Sequence, residues 1–142
     1  MMTSLRPVAP RVPALVAFVT LVVGGLTACG ADGDQTLDLS PAGEAGREVA
    51  LAKGCAACHG VNGQGGVGPP FAGLFGSTVA FDDGSTAVAD EAYIIESITD
   101  PNAKIVAEYS LPMPETNLTD AEIASVIDYI RELSQPSNST TP

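Results

Sequence analysis

The run Cys55-Ala56-Ala57-Cys58-His59 constrains this chain more than any other feature, because it sets two thiols three residues apart and an imidazole directly after the second. Zinc would accept all three side chains, but a closed structural site takes four ligands, and the only other cysteine, Cys29, lies in a segment that reads as an export signal. A redox dithiol belongs where a strand runs into the helix of a βαβ unit, and no stretch here reads as a parallel sheet. The spacing is the attachment pattern of a c-type haem, in which both sulfurs form thioethers and the histidine is carried beneath the ring. Such a group decides what the fold must do. A chain this short buries a limited apolar core, so a porphyrin would supply much of it and the apo form is expected to be poorly folded.

Ahead of the motif, Arg6 and Arg11 form a sparse basic start, Pro13 to Leu26 is almost wholly apolar and small residues follow, so residues 1–28 have the layout of a secretory signal peptide. The apolar run is shorter than the ~20 residues of a membrane span. Leu26-Thr27-Ala28-Cys29 resembles the bacterial lipobox, and that resemblance implies acylation of Cys29. An ordinary signal cut or an uncleaved anchor helix are the alternatives. The domain is expected outside the cytoplasm, lipid-anchored on the outer face of the cytoplasmic membrane or in the periplasm. Residues 29–42 read as the lipidated cysteine and a flexible tether, residues 43–134 as the domain and residues 135–142, rich in Ser, Thr and Pro, as a disordered tail.

All 17 acidic residues follow position 28, whereas Arg6 and Arg11 precede it, so four of the six basic residues remain and the processed chain carries 4 minus 17, about −13. That balance argues against nucleic acid and against an electrostatic hold on anionic lipid. It suits a basic protein partner, although solubility alone would explain it as well.

The domain reads as mainly α. Glu44 to Lys53 is free of breakers except Gly46 and stops at Gly54, which predicts a short helix delivering the chain to Cys55. Ala89 to Ile98 sets Tyr93, Ile94, Ile95 and Ile98 at helical spacing, with Asp90 as N-cap and Pro101 enforcing the exit. Thr119-Asp120-Ala121-Glu122 is a capping box, and Ile123, Val126, Ile127, Ile130 and Leu133 then form one apolar stripe. Val79 to Val88, with Asp83-Gly84 between β-prone runs, predicts a small hairpin inserted at the edge of the haem.

With these residues in place, 43–134 resembles a class I cytochrome c, a fold of three to four helices around one covalent haem c. Gly68-Pro69-Pro70-Phe71-Ala72-Gly73-Leu74-Phe75-Gly76 matches the stretch after the haem motif. The resemblance implies that the Pro69 carbonyl accepts a hydrogen bond from His59, which fixes the ring and raises its basicity. Pro112-Met113-Pro114 matches the distal loop; Pro114 biases Met113 toward extended backbone and Pro112 does the same to Leu111, so the loop is stiff. His59 is the only histidine and Met113 the only methionine besides Met1 and Met2, so the iron ligands are expected to be His59 and Met113.

The resemblance also places Gly46, Val126 and Tyr129 where the first and last helices cross. Ala50 stands where relatives usually have an aromatic, which implies a looser crossing or compensation by Leu51. The stretch from Asp82-Asp83-Gly84 to Asp100-Pro101-Asn102-Ala103 is most similar to the cytochrome c domain fused to subunit II of some respiratory oxidases. Export agrees with haem attachment, which the resemblance places on the same side of the membrane.

An iron with both axial positions filled has no room for substrate, so the expected function is one-electron transfer and not catalysis: a membrane-tethered carrier of a respiratory chain, passing electrons from a quinol-oxidising complex or dehydrogenase to a terminal oxidase or reductase. Phe71, Leu111 and the Met113 loop are expected to ring the docking face. Two alternatives stand beside this one. The chain would be a fixed haem subunit of a larger redox complex, or a haem enzyme or gas sensor whose distal ligand is displaceable.

Overall fold

Helix α1, Pro41–Ala52, begins where local chemistry ends the preceding extended segment. Ser40 is its N-cap, the hydroxyl accepting from the backbone of Ala42 (3.2 Å) and Gly43 (3.3 Å), and Pro41 fills a first-turn position where its missing N–H costs nothing. The computed structural model describes residues 37–136; the signal segment, Cys29 and the tail beyond Pro136 lie outside the described residues.

The helix therefore starts three residues ahead of the expected Glu44, because Ser40-Pro41 is a start signal that the tether reading absorbed. Residues 37–42 are part of the domain. Leu37 and Leu39 pack against the core, and the Ser40 amide donates to Oε2 of Glu132 at 2.8 Å.

The remaining elements are a one-turn helix α2 (Ala56–His59), strands β1 (Thr78–Ala80) and β2 (Thr86–Val88), α3 (Glu91–Thr99) and α4 (Asp120–Leu133). Asp90 caps α3 by accepting from the Tyr93 amide at 2.9 Å. In α4 the capping box closes in both directions, Glu122 N–H donating to Thr119 Oγ1 (3.3 Å) and Thr119 N–H to Glu122 Oε2 (2.9 Å). The hairpin is antiparallel, with Thr78 opposite Val88, Val79 opposite Ala87 and Ala80 opposite Thr86. Among the described residues no helix is long and apolar enough to cross a membrane.

The core sits where α1 and α4 cross and α3 closes over them. It is built from Ala50, Phe71, Ile94, Ile98, Ile123, Val126, Ile127, Tyr129 and Ile130, all buried. Of the expected α3 face, Ile94 and Ile98 turn inward at a spacing of one turn, whereas Ile95 is exposed. Leu51 is exposed as well, so it does not make up for the small Ala50; Ala50 is itself buried at the crossing, with Phe71 and Tyr129 in the same cluster.

The crossing is close because position 46 has no side chain. A Cβ built there would lie 1.9 Å from the Ser125 carbonyl oxygen and 2.8 Å from the Tyr129 Cβ. Backbone oxygen in the middle of a helix cannot step aside. Gly46→Ala would gain about 1 kcal/mol of helix propensity but overpack the contact by about 3 kcal/mol, so a net loss near 2 kcal/mol is expected. Denaturant melts of the holoprotein check it; an unchanged midpoint would mean that the helices separate freely.

Every basic side chain among the described residues is in an ion pair. Lys53 meets Glu122 at 2.8 Å, Arg131 pairs with Glu91 and lies 3.5 Å from Asp128, Lys104 pairs with Glu96, and Arg47 lies 4.0 Å from Glu44. The positive charge is thus neutralised locally and the surplus of carboxylates sets the field of the domain.

Candidate functional site

The Cys55 amide donates to the carbonyl of Ala50 at 2.9 Å as α1 ends, and the chain turns straight into α2. Within that single turn the His59 amide donates to the Cys55 carbonyl at 2.9 Å, so Cys55, Cys58 and His59 occupy positions i, i+3 and i+4 and share one face. The loop after it folds back onto α2. Gly65 N–H donates to the His59 carbonyl (2.8 Å) and Gly68 N–H to the Cys58 carbonyl (2.9 Å).

This return places Pro69 beside the imidazole. The distance from His59 Nδ1 to the Pro69 carbonyl oxygen is 2.7 Å. A carbonyl can only accept, so Nδ1 carries the proton and Nε2 is left with its lone pair free for a metal. Gly68 makes the approach possible, since a Cβ there would come within 2.9 Å of the ring's Cε1. The Phe71 ring stacks on the imidazole, centroids 4.4 Å apart and planes 17° from parallel, and Tyr129 meets Phe71 edge-on at 6.3 Å. His59 is 9 % exposed. Burial pushes its pKa down, and the Pro69 carbonyl offsets part of that, so the ring is held neutral and ready to ligate.

The same face opens on a cavity of about 880 Å³, lined among others by Cys55, Cys58, His59, Leu111 and Met113. The volume lies within the ≈ 300–1,000 Å³ range of cofactor pockets. Met113 is half-buried in the wall and Leu111 is exposed at 66 %. Met113 and His59, far apart in the chain, thus face one space. Phe71 is not at the rim, where it was expected, but buried at 7 % behind His59, because the turn through Pro69-Pro70 carries it under the imidazole.

The competing chemistries fit poorly. Among the described residues no three His, Cys, Asp or Glu side chains converge as a metal-holding group, so Cys55, Cys58 and His59 do not form a zinc cradle. Burial raises the Cys55 pKa, the opposite of the thiolate a redox dithiol needs.

Two thiols and a buried, oriented imidazole on one helical turn, facing a large apolar cavity, fit a flat macrocycle held by its edge and ligated at its metal. That is the chemistry of covalent haem proteins. The family model for cytochrome c matches residues 43–134, and the chain belongs to that family. Its fold is the class I cytochrome c fold, its cofactor is covalent haem c, and the business of its class is haem-based electron transfer. A comparison with curated proteins returned no match.

The stacking of Phe71 on His59, backed by Tyr129, escaped sequence reasoning. Its only sequence signal was the Gly-Pro-Pro-Phe order, which fixes that an aromatic follows the turn but not which side of the imidazole it reaches.

Proposed function

We propose that this protein is a membrane-tethered one-electron carrier of a respiratory chain, related to the cytochrome c domains fused to oxidase subunit II. The observation that carries this reading is that His59, oriented by Pro69, and Met113 line a single cavity. Haem c would supply a one-electron couple, and with His59 and Met113 both holding the iron no place would be left for a substrate.

The chain's own residues do the rest. Cys55 and Cys58 hold the porphyrin edge as thioethers; His59 presents Nε2 while Pro69 retains the proton on Nδ1. Phe71 blocks rotation of the ring, and Met113 supplies a soft sulfur, which favours the ferrous state and raises the potential. Cys29, acylated, keeps the domain at the outer face of the membrane. The partner's docking patch is basic, because the surplus of carboxylates is not offset by any unpaired cation among the described residues.

The test is stopped-flow electron transfer to the host's terminal oxidase across an ionic-strength series, run on the protein with and without Cys29→Ser. With a Debye length of ~8 Å at physiological salt, the second-order rate is expected to fall steeply as salt rises. Cys29→Ser is expected to release the protein from membranes with its haem spectrum unchanged. A flat salt response would remove the basic partner, and an unmodified N-terminus in the intact mass would remove the anchor.

A further inference from the structure

Strand β1 of the hairpin lines the cavity with Thr78, Val79 and Ala80, and the hairpin also holds the segment that leads into the Met113 loop. Phe81 N–H donates to the Ser85 carbonyl (2.9 Å), so residues 79 and 81 direct their backbone groups at the β2 side and residues 80 and 82 direct theirs outward. That outer edge is occupied. Asp82 N–H donates to the Ile105 carbonyl and Ala107 N–H to the Ala80 carbonyl, both at 3.0 Å, while Phe81 and Val106 form an antiparallel bridge. Side chains lock the same junction: buried Phe81, Val79 and Ala89 form a second small core with Val106 and Tyr93 against them. Lys104, one residue before, pairs with Glu96 of α3.

Beyond this junction the loop has little of its own. Tyr109 N–H returns to the Val106 carbonyl at 2.9 Å; among the described residues no backbone group from Ser110 to Leu118 pairs with another backbone group. At its far end the Thr116 hydroxyl reaches the Ile98 carbonyl at 3.4 Å and Leu118 packs against the main core. A segment with no internal ladder is placed by its two roots and by the stiffness of Pro112 and Pro114.

We infer that the β1–β2 hairpin is a clamp on the entry root of the distal loop, and that Phe81 with the Ala80–Ala107 and Asp82–Ile105 bonds sets how firmly the Met113 thioether occupies the iron's sixth position. The inference rests on Met113 being the distal ligand. Releasing the clamp leaves the loop attached through a longer flexible segment, so the ligated arrangement competes with many more open ones. Phe81, Ala80 and Asp82 are positioning residues: they act on the iron through the loop.

The experiment uses the full holoprotein with Ala107→Pro, which deletes the donor to Ala80, Phe81→Ala, which empties the small core, and the conservative Phe81→Leu. Met113→Ala serves as the fully open reference and Gly46→Ala as a variant destabilised elsewhere. Readouts are carbon monoxide binding to the reduced protein, the charge-transfer absorption of thioether-bound ferric iron, and the midpoint potential. Ala107→Pro and Phe81→Ala are expected to bind carbon monoxide about tenfold or more better than wild type, with a weakened charge-transfer band and a lowered potential. Phe81→Leu and Gly46→Ala are expected to stay near wild type. Clamp variants as closed as wild type, beside an open Met113→Ala, would overturn the clamp and leave the ligand assignment standing. A wild type as open as Met113→Ala would overturn the assignment itself. Should Ala107→Pro yield no holoprotein, Phe81→Ala decides, because it keeps both backbone bonds.

Discussion

Replacing Cys55 and Cys58 together by alanine is expected to abolish both covalent haem and cooperative folding. The cavity they border, about 880 Å³, is lined from α2, the Pro69 loop, β1, α3, the Met113 loop and α4, so every element but α1 and β2 leaves side chains facing it. Without haem that apolar space would fill with water, and the side chains that line it would lose burial on which a domain with a total stability of about 5–15 kcal/mol depends. A surface collapse could not recover it, because Phe71 and His59 are held in place by the turn at Pro69. Acid-acetone extraction is expected to leave haem on the wild type and find none on the double variant, whose circular dichroism should melt without a sharp transition. A variant that melts cooperatively without haem would refute the view that the porphyrin completes the core.

Met113→Ala should change the iron far more than the fold. The side chain is half-buried in a loop without backbone pairing, so removing it disturbs little packing, while His59 keeps its 2.7 Å contact with Pro69. The lost thioether preferred the ferrous state. The midpoint potential is therefore expected to fall on the order of 0.2 V, within the ≈ 0.8 V that axial ligands span. Reduced protein should bind carbon monoxide readily where wild type does not. Potentiometric titration with optical detection, repeated under carbon monoxide, reads both. An unchanged potential would place another group, or none, opposite His59, and the enzyme or sensor alternative would gain.

The features legible in the sequence are those whose causes are local. The turn that groups Cys55, Cys58 and His59 needs only α-helical spacing, the capping box of α4 needs only Thr119 and Glu122, and the Asp83-Gly84 turn closes the hairpin through Asp83, whose Oδ1 accepts from Ser85 N–H at 2.8 Å. The start of α1 is equally local, in Ser40-Pro41, but a polar run before a domain also reads as tether, and only the packing of Leu37 and Leu39 separates the two.

What tertiary structure alone decided are contacts whose partners lie far apart in sequence or on the far side of a turn. Phe71 could have stood at the rim or behind the imidazole; the path through Pro69-Pro70 and the packing of Tyr129 put it behind. Nothing in residues 78–88 announces that their free edge will take up residues 105–107, since a strand's pairing edge is satisfied by whichever backbone the fold brings alongside. The sequence by itself thus determined the chemistry, because thiols, imidazole and thioether are properties of residue types at a spacing. The rigidity with which that chemistry is held came from packing between segments, which depends on the whole path of the chain.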